Sequence, residues 1–346
     1  MASQVKDAAW LEWIAGLVRA ESRQTQTTTL HPDRFHCLLD ELPLHLIPQR
    51  SLGLQLPESV DESLFLNPQC SIFPPGRAPA ELESHSFLLD GFDLQSPIAW
   101  VRDAGGSLHP FWLGTQMRNA VSRLFPGERV PESVPRGERR LLASAGIFTS
   151  PLQNEKRVRE WAEVVKQGAR EFQEKNYAPL RGLIHPLHVA ALRRYYRQSI
   201  RKGRIRLGDE QSPQRYVAHN ECVARFFHHQ IANKVSAIVG ERVKPSYVYF
   251  ASYLSGAELK KHTDRAQCEF SVTLCLDFSP EPECATSWPI RLDTPEGAVA
   301  IYQALGDGLV YRGPSVPHYR GPLANGHSST SIFFHYVPED FTGSLE

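Results

Sequence analysis

Apolar residues recur at helical spacing in three segments near the middle of the chain. In Asn154–Asn176 they lie three or four positions apart with charged residues between them, which is the pattern of an amphipathic helix. A second helix is predicted at Pro186–Ile200, because proline is well suited to the first helical turn. A third is predicted at Asn220–Val239, because the following Gly240 is a favourable helix end.

After Gly240 the hydrophobic period changes to the alternation of β-strands, with Val272, Leu274 and Leu276 on one face of their segment. Strands are predicted at Lys244–Leu254, Phe270–Phe278, Ile290–Leu292, Ala298–Tyr302, Leu309–Tyr311 and Ser329–Val337. Strands that follow helices in this way favour an α+β fold. In it, helices buttress a double-stranded β-helix, the jelly-roll or cupin-like barrel. Residues 151–346 are assigned to these helices and the barrel.

The first 150 residues give a weaker pattern, which prolines between Pro43 and Pro97 break into short pieces. Helices are predicted at Met1–Ala20 and Phe111–Leu124, and a short apolar unit at Arg139–Phe148 ends in a strand-like tail. We therefore expect residues 1–150 to form an irregular, mostly helical N-terminal region of unknown role. A small substrate-recognition module, of winged-helix type, and a packing layer for the rest of the chain both fit this outline.

The length and charge of the chain exclude some classes of function. The 346 residues suffice for two domains. Because 38 basic residues balance 38 acidic ones, the chain lacks the basic footprint of a nucleic-acid-binding protein. One local basic run, Arg193–Arg206, fits either a surface for an acidic partner or a solvated helix face. No apolar run approaches the ~18 residues that span a bilayer, so neither nucleic acid nor a membrane is expected as a partner.

The cysteines indicate a reducing environment. The six residues lie far apart, and no pair has the two-residue spacing of a zinc knuckle or a redox motif. The start of the chain also lacks the features of a signal peptide. Together these observations predict free thiols and a cytoplasmic location.

The tripeptide His262-Thr263-Asp264 is the strongest chemical signal in the strand-rich region. In an extended segment alternate residues point to the same side, so His262 and Asp264 can converge on one ion. His318 follows after a Gly306-Asp307-Gly308 turn and a predicted strand. Two imidazoles and one carboxylate form the facial triad of mononuclear non-haem iron(II) oxygenases, which leaves positions open for cosubstrate and O2.

The region from about Arg181 to Val337, a little under half the chain, resembles the iron(II)- and 2-oxoglutarate-dependent dioxygenases. Within them it looks like the prolyl-hydroxylase-like branch. The resemblance is carried by Tyr253-Leu254-Ser255-Gly256, His262-Thr263-Asp264, Gly306 to Tyr311, Pro317-His318-Tyr319-Arg320 and the closing strand Ser331 to Tyr336.

The resemblance implies that Fe(II) and 2-oxoglutarate are cofactors and that O2 is a reactant. In such enzymes 2-oxoglutarate is decarboxylated to succinate while an unactivated C–H bond is hydroxylated. By this resemblance His262, Asp264 and His318 are the catalytic metal ligands. Related halogenases replace the carboxylate with a small residue, so Asp264 favours hydroxylation over halogenation.

The resemblance also implies a basic residue for the distal carboxylate of 2-oxoglutarate. In the family an Arg or Lys commonly stands nine or ten residues after the second histidine, but here those positions hold His327 and Ser328. Arg320, on the same side as His318 in an extended segment, offers a guanidinium instead. Tyr253 matches the family tyrosine ahead of the first two ligands. The predicted cofactor-binding residues are Tyr253, Arg320, His327 and Ser329.

The substrate class remains open between a peptide or protein side chain and an amino-acid-like small molecule. Arg265, directly after Asp264, fits a contact with substrate or cosubstrate, or a surface salt bridge. The alternative function is a catalytically silent metal-binding barrel that acts as a binding or sensing module, which the missing basic residue on the closing strand favours. A zinc hydrolase is disfavoured, because no glutamate general base is placed by motif beside the triad.

Overall fold

The computed structural model of the protein describes residues 30–48 and 63–346, so the predicted helix at Met1–Ala20 lies outside the described residues. The chain divides into two compact units. One contains the described residues up to Glu160 together with Pro186–Tyr195, and the other contains Trp161–His185 and Tyr196–Glu346. The division at residues 150 and 151, and a recognition role for the first unit, stay predictions.

The first unit combines short helices with a three-stranded antiparallel sheet that the sequence pattern did not predict. The five strands described in this unit are β1 (Phe65–Leu66), β2 (Cys70–Phe73), β3 (Ile98–Arg102), β4 (Leu108–Trp112) and β5 (Phe148–Thr149). Its helices are α1 (Ala80–Glu83), α2 (Thr115–Val121) and α3 (Arg136–Ser144), with 3-10 helices at Leu39–Glu41, Leu44–Leu46 and Ser86–Leu89. The sheet order is β2-β3-β4, and β1 pairs with β5.

The helix predicted at Phe111–Leu124 is wrong over its first part, because Phe111 and Trp112 belong to strand β4. Both side chains are fully buried, and the Trp112 ring packs against Phe35 and Phe92 at centroid distances of 5.8 and 5.5 Å. Burial of large aromatic side chains on a sheet outweighs the weak helical preference of the segment. Only Thr115–Val121 is helical.

The three predicted long helices are confirmed. They are α4 (Pro151–Lys175), α5 (Pro186–Arg201) and α6 (Cys222–Val239). Helix α6 begins where the Glu221 side chain accepts a hydrogen bond from the backbone N–H of Ala224 at 3.0 Å. It ends at Gly240, whose φ of 83° is in the left-handed region that glycine adopts most readily.

The second unit contains two antiparallel sheets, and all six predicted strands are present. Its strands are β6 (Tyr177–Leu180), β7 (Arg206–Leu207), β8 (Arg215–His219), β9 (Val243–Tyr253), β10 (Leu259–His262), β11 (Phe270–Ser279), β12 (Ile290–Thr294), β13 (Gly297–Ile301), β14 (Gly308–Tyr311), β15 (His318–Arg320) and β16 (Ser328–Pro338). The larger sheet has the order β6-β14-β11-β16-β9-β8-β7, and the smaller has the order β10-β15-β12-β13. The mixed helical and antiparallel character of the prediction is therefore confirmed.

Strand β11 shows how the larger sheet positions polar groups. It pairs with β14 on one side and β16 on the other, and nine of its ten residues are buried. Val272, Leu274 and Leu276 form the apolar face that predicted the strand. The opposite face carries Ser271, whose hydroxyl donates to Asp264, and Cys275, which belongs to an interior cluster. Because side chains alternate along a strand, this second face lines the space between the sheets.

The basic run Arg193–Arg206 makes internal contacts at its start. Arg193 is buried and donates to the carbonyl of Leu46 at 2.6 Å. Arg197 donates twice to the carboxylate of Asp277, at 2.6 and 2.8 Å. Arg193 and Arg197 are therefore engaged internally, whereas the later basic residues Arg201, Lys202, Arg204 and Arg206 are exposed.

The structure also bears on the predicted state of the cysteines and on membrane-spanning helices. Each of the six cysteines is a free thiol. Within residues 30–48 and 63–346, none of the helices has the length and apolar character needed to cross a bilayer.

Candidate metal centre

The three predicted metal ligands converge in space. His262 at the end of β10 and His318 at the start of β15 are register partners on neighbouring strands, with ring centroids 4.3 Å apart. Asp264 follows β10 by two residues, and its Oδ1 lies 3.7 Å from the Nε2 atom of each histidine. The three potential ligand atoms lie within 4.8 Å of one another.

Each of the three side chains has one potential ligand atom close to those of the other two, and His318 Nε2 also lies 3.3 Å from the Tyr311 hydroxyl. His262 Nδ1 lies 2.8 Å from the carbonyl of Lys260, and His318 Nδ1 lies 3.0 Å from that of Val316. Because a carbonyl only accepts, each Nδ1 carries a hydrogen, and in the neutral form of the ring the lone pair is then on Nε2. Asp264 Oδ2 accepts from the Ser271 hydroxyl at 2.7 Å, which leaves Oδ1 towards the histidines. Two neutral imidazole nitrogens and one carboxylate oxygen suit a divalent transition metal ion.

The Asp264 carboxylate is held by a short hydrogen-bond chain. Ser271 donates its single hydrogen to Asp264, so the His335 Nδ1 that lies 2.9 Å from Ser271 Oγ must be a donor. Burial lowers the pKa of His335 to about 4, and the imidazole is therefore neutral near pH 7. The chain is a second layer of support of the kind that orients metal-binding carboxylates.

Glycine at position 313 lets the backbone approach this carboxylate. A side chain there would place its Cβ 2.5 Å from Asp264 Oδ2 and 2.3 Å from the carbonyl of Cys268. The carbonyl of Gly313 also accepts from the backbone N–H of Asp264 at 2.9 Å. Position 313 therefore requires the absence of a side chain, a feature that sequence reasoning missed.

A second group of potential ligands, Asp264, Cys268 and His335, also lies within 4.8 Å. The Ser271 hydroxyl bridges Asp264 and His335, and the Cys268 thiol lies 3.0 Å from the Tyr247 hydroxyl. Burial raises the pKa of the thiol to about 11, so it stays protonated. We assign this group to the support of Asp264 rather than to a second ion.

A buried cation lies two residues from the second histidine. Arg320, on β15, is 4% exposed, and no carboxylate of the described residues is within ion-pair distance of it. Its Nη1 donates to the carbonyl of Trp288 at 2.6 Å, and its Nη2 to Gln303 Oε1 at 3.3 Å. The guanidinium lies 4.8 Å over the Trp288 ring. Its Nε is buried without a partner among the described residues, which is costly unless a ligand completes the site.

Two further donors belong to the same interior. Tyr253 is 1% exposed, and its ring centroid lies 5.1 Å from that of Trp288. Its hydroxyl accepts from Arg215 Nη1 at 3.3 Å, so its own hydrogen remains to be donated. On β16 the fully buried Ser331 hydroxyl has no partner among the described residues, and Ser331 pairs with Cys275, which belongs to the same interior cluster as Tyr253 and Trp288.

The charge balance of this pocket favours one anion. Arg215, the other buried guanidinium beside Tyr253, forms an ion pair with Asp209 at 2.5 Å. That pair is neutral overall, whereas Arg320 has no carboxylate within ion-pair distance among the described residues. The pocket therefore offers one uncompensated positive charge together with hydroxyl donors, a combination that suits a single carboxylate.

The remaining predicted cosubstrate residues are placed differently. Ser329 is the register partner of Tyr253 on the neighbouring strand and is 2% exposed. His327 precedes β16, and its ring lies 5.6 Å from that of Phe278. A role for either residue in cosubstrate binding stays a prediction.

Sequence reasoning missed Ser271 and Ser331. The alternation within β11 offered a signal for Ser271, because the face opposite Val272 and Leu274 is polar. Trp288 lies in the segment between β11 and β12, and its contact with Arg320, which the sequence did not predict, depends on how that segment folds back. The Tyr311 hydroxyl lies 3.3 Å from His318 Nε2, a contact that the sequence also did not predict.

Replacing Ser271 with alanine should weaken metal binding without removing it. The substitution breaks the chain that orients Asp264, and loss of such outer support typically costs about 10–100-fold in metal affinity. Titration of the purified variant with Mn(II), followed by electron paramagnetic resonance, measures the change. The Ser84→Ala variant, at an exposed serine of the first unit, is the control. Wild-type affinity in Ser271→Ala would contradict the proposed support.

No protein-family model matches the sequence, and no curated protein matches it. Several solved structures have a similar backbone over about half of this chain. The non-haem α-ketoglutarate-dependent epimerase SnoN from nogalamycin biosynthesis is 12% identical, with 51% of this chain and 82% of that chain covered and a TM-score of 0.44. A Pseudomonas putida prolyl-4-hydroxylase is 16% identical, with 52% and 99% covered and a TM-score of 0.41. AviO1 from Streptomyces viridochromogenes is 18% identical, with 53% and 97% covered and a TM-score of 0.41.

Proposed function

We propose that this protein is an iron(II)- and 2-oxoglutarate-dependent oxygenase that hydroxylates an unactivated C–H bond. The observation that carries the proposal is the spacing of His318 and Arg320 on one short strand. The first side chain belongs to a donor set suited to a divalent metal ion, and the second is a buried cation without a carboxylate partner among the described residues. A ligand that chelates a metal at one end and carries a carboxylate at the other would satisfy both.

We also propose that strands β9 to β16 form a double-stranded β-helix. Of these eight strands, β9, β11, β14 and β16 belong to the larger sheet, and β10, β12, β13 and β15 belong to the smaller one. Successive strands thus pass repeatedly between two sheets, as in jelly-roll folds. Contact between the sheets is supported by a cluster that combines Leu309 and Tyr311 with Ile290 and Leu292.

In this proposal each side chain has a distinct task. His262, Asp264 and His318 would hold Fe(II), and Arg320, Tyr253 and Ser331 would bind the distal carboxylate of 2-oxoglutarate. When bound, iron and 2-oxoglutarate supply oxidation of a C–H bond by O2, with succinate and CO2 as coproducts. Trp288 and the other buried walls exclude water from the cation, which strengthens its attraction for a carboxylate.

The substrate is proposed to be a peptide or protein side chain or an amino-acid-like small molecule, as in the prolyl-hydroxylase-like branch. Residues 1–150 are proposed to contribute to substrate recognition. Asp264 supports hydroxylation over halogenation, because the related halogenases have a small residue in place of this carboxylate.

The competing function is a metal-binding barrel without turnover. It is favoured by His327 and Ser328, which stand where the family commonly has a basic residue. Arg320 weighs against it, because a buried guanidinium is costly to retain when nothing binds to it. We therefore favour the enzyme.

Anaerobic loading with Fe(II) and 2-oxoglutarate, followed by admission of O2, tests the proposed reaction. We expect slow succinate formation that requires both Fe(II) and O2, and acceleration by members of a panel of peptides and amino acids. Boiled protein and protein loaded with Zn(II) are the controls. Absence of succinate, together with no measurable 2-oxoglutarate affinity, would overturn the proposal.

A further inference from the structure

We propose that Arg265 is a recognition site for an anionic group, a carboxylate or a phosphate, of the primary substrate. This inference rests on the proposed function and deepens it, because it specifies the chemical class of the molecule to be oxidised. Its basis is a fixed, exposed guanidinium without an acidic partner among the described residues, adjacent in sequence to the metal ligand Asp264.

The exposure of the three metal ligands indicates the side from which a substrate can approach. The side chain of His262 is 36% exposed, that of Asp264 is 12% exposed and that of His318 is 3% exposed. Arg320, the proposed partner of the cosubstrate, lies on the buried side. The centre is therefore open near His262. Arg265, the residue directly after Asp264, is also exposed.

The Arg265 side chain is held in place by an aromatic ring. Its guanidinium lies 5.0 Å from the ring centroid of Tyr247, within the range of a cation–π contact. The Tyr247 ring is itself fixed, because it packs at 4.6 Å against His335 and at 5.1 Å against His219. An arginine stacked in this way loses little further freedom when it binds an anion.

The backbone around Arg265 is anchored as well. The N–H of Asp264 donates to the carbonyl of Gly313 at 2.9 Å, and the N–H of Cys268 donates to the carbonyl of Arg265 at 2.9 Å. The Ser246 hydroxyl donates to the carbonyl of Gln267 at 2.6 Å. Both ends of the short segment are thus tied to neighbouring elements, and the guanidinium has a defined position relative to the metal ligands.

No carboxylate neutralises this cation within the part of the chain that the structure describes. Glu269, four residues further along the chain, pairs with Arg312 at 2.6 Å, and Asp293 pairs with Lys261. The surface salt bridge considered for Arg265 from the sequence is therefore not formed within residues 30–48 and 63–346. The guanidinium also hydrogen-bonds with the side chains of Tyr247 and Cys268, and its other N–H donors suit the binding of a carboxylate or phosphate.

Paramagnetic line broadening can test this site before the natural substrate is identified. The protein is loaded with Mn(II) and saturating 2-oxoglutarate, which fills the proposed cosubstrate pocket. Three fluorine-labelled probes are then compared, namely 4-fluorobenzoate, 4-fluorophenyl phosphate and the neutral 4-fluorobenzamide. We expect the 19F signals of the anions to broaden more than that of the amide, and the stronger of the two anions identifies the preferred group.

Variants assign the effect to the guanidinium. In Arg265→Gln the affinity for the anionic probes should fall roughly five-fold, as expected for loss of one largely exposed ion pair. Arg265→Lys should retain part of the binding. The control is Arg242→Gln, an exposed arginine just before β9, which should behave as the wild type.

The outcomes separate the two proposals. Equal broadening by all three probes, or no change in Arg265→Gln, would overturn the recognition site alone. Failure of the wild-type protein to bind Mn(II) and 2-oxoglutarate would overturn the proposed function and this inference with it.

Discussion

Replacing Asp264 with alanine is expected to abolish iron-dependent turnover and to lower metal affinity more than ~100-fold. Loss of a supporting residue one contact further from a metal already costs about 10–100-fold, and removal of a direct anionic ligand should exceed that. The two histidines would remain as a neutral pair without the carboxylate oxygen that faces both of them at 3.7 Å. Metal affinity is measured by titration with Mn(II), and turnover by succinate formation.

The fold should survive this substitution, because Asp264 is on a short segment after β10 rather than in the apolar core. Circular dichroism and thermal unfolding of the metal-free protein provide the check. Glu296→Gln, at an exposed acidic residue in the turn between β12 and β13, is the matched control. Metal binding and succinate formation at wild-type levels in Asp264→Ala, or in the parallel His262→Ala variant, would refute the assigned metal centre.

Replacing Arg320 with methionine should have the second large effect, which is weaker binding of the cosubstrate 2-oxoglutarate. Truncating one partner of a buried, hydrogen-bonded charge pair costs about 2–5 kcal/mol, which corresponds to roughly 30- to 4,000-fold in the Kd of 2-oxoglutarate. The reason is that Arg320 has no carboxylate partner among the described residues, so a bound ligand would supply it. Arg320→Lys should give an intermediate Kd, because it keeps the charge and loses the planar fork.

A ligand that lacks the distal carboxylate provides the control for this prediction. The Kd of 2-oxopentanoate, measured on metal-loaded protein, should be nearly the same for the wild type and for Arg320→Met. If Arg320 had only a structural role, its replacement would change stability and leave ligand binding unchanged. If Arg320→Met lowered the free energy of unfolding of the ligand-free protein by several kcal/mol and left the Kd of 2-oxoglutarate unchanged, the guanidinium would serve the fold alone.

Stability gives this test a second, independent readout. The substitution removes hydrogen bonds to Trp288 and Gln303, which favours the wild type. It also removes a buried charge, and burial lowers the pKa of this guanidinium because it penalises the charged form. These two effects oppose each other, so we expect the free energy of unfolding to change by less than about 1.5 kcal/mol.

The elements with a strong period were predictable because the period alone specifies them. Helices α4, α5 and α6 and the long strands β9, β11 and β16 carry apolar or aromatic residues at the regular spacing of a helix or a strand, and this spacing is visible in the sequence. The short strands β10 and β15 were not predicted. Lys260 and Lys261 interrupt any alternation in β10, and β15 has only three residues. These strands exist because each pairs with the other in the smaller sheet.

The convergence of the proposed metal ligands was predictable for a similar reason. A histidine and an aspartate two positions apart share one side of an extended segment, whatever the rest of the fold does. The choice of His318 as the third proposed ligand followed from its place after a turn and a strand. The register pair His262 and His318 supports this choice by bringing the two rings together.

Other features of the site depended on contacts between residues far apart in the chain. The Trp288 carbonyl accepts a hydrogen bond from Arg320, and the Ser271 hydroxyl connects His335 to Asp264. Gly313 leaves space for the Asp264 carboxylate. None of these relations has a fixed sequence spacing, because each arises where separate strands or loops meet. The sequence by itself determined the ligand types and the main strands and helices. Only the tertiary structure decided that Arg320 is buried without a carboxylate partner among the described residues, since burial and charge pairing are properties of the packed chain.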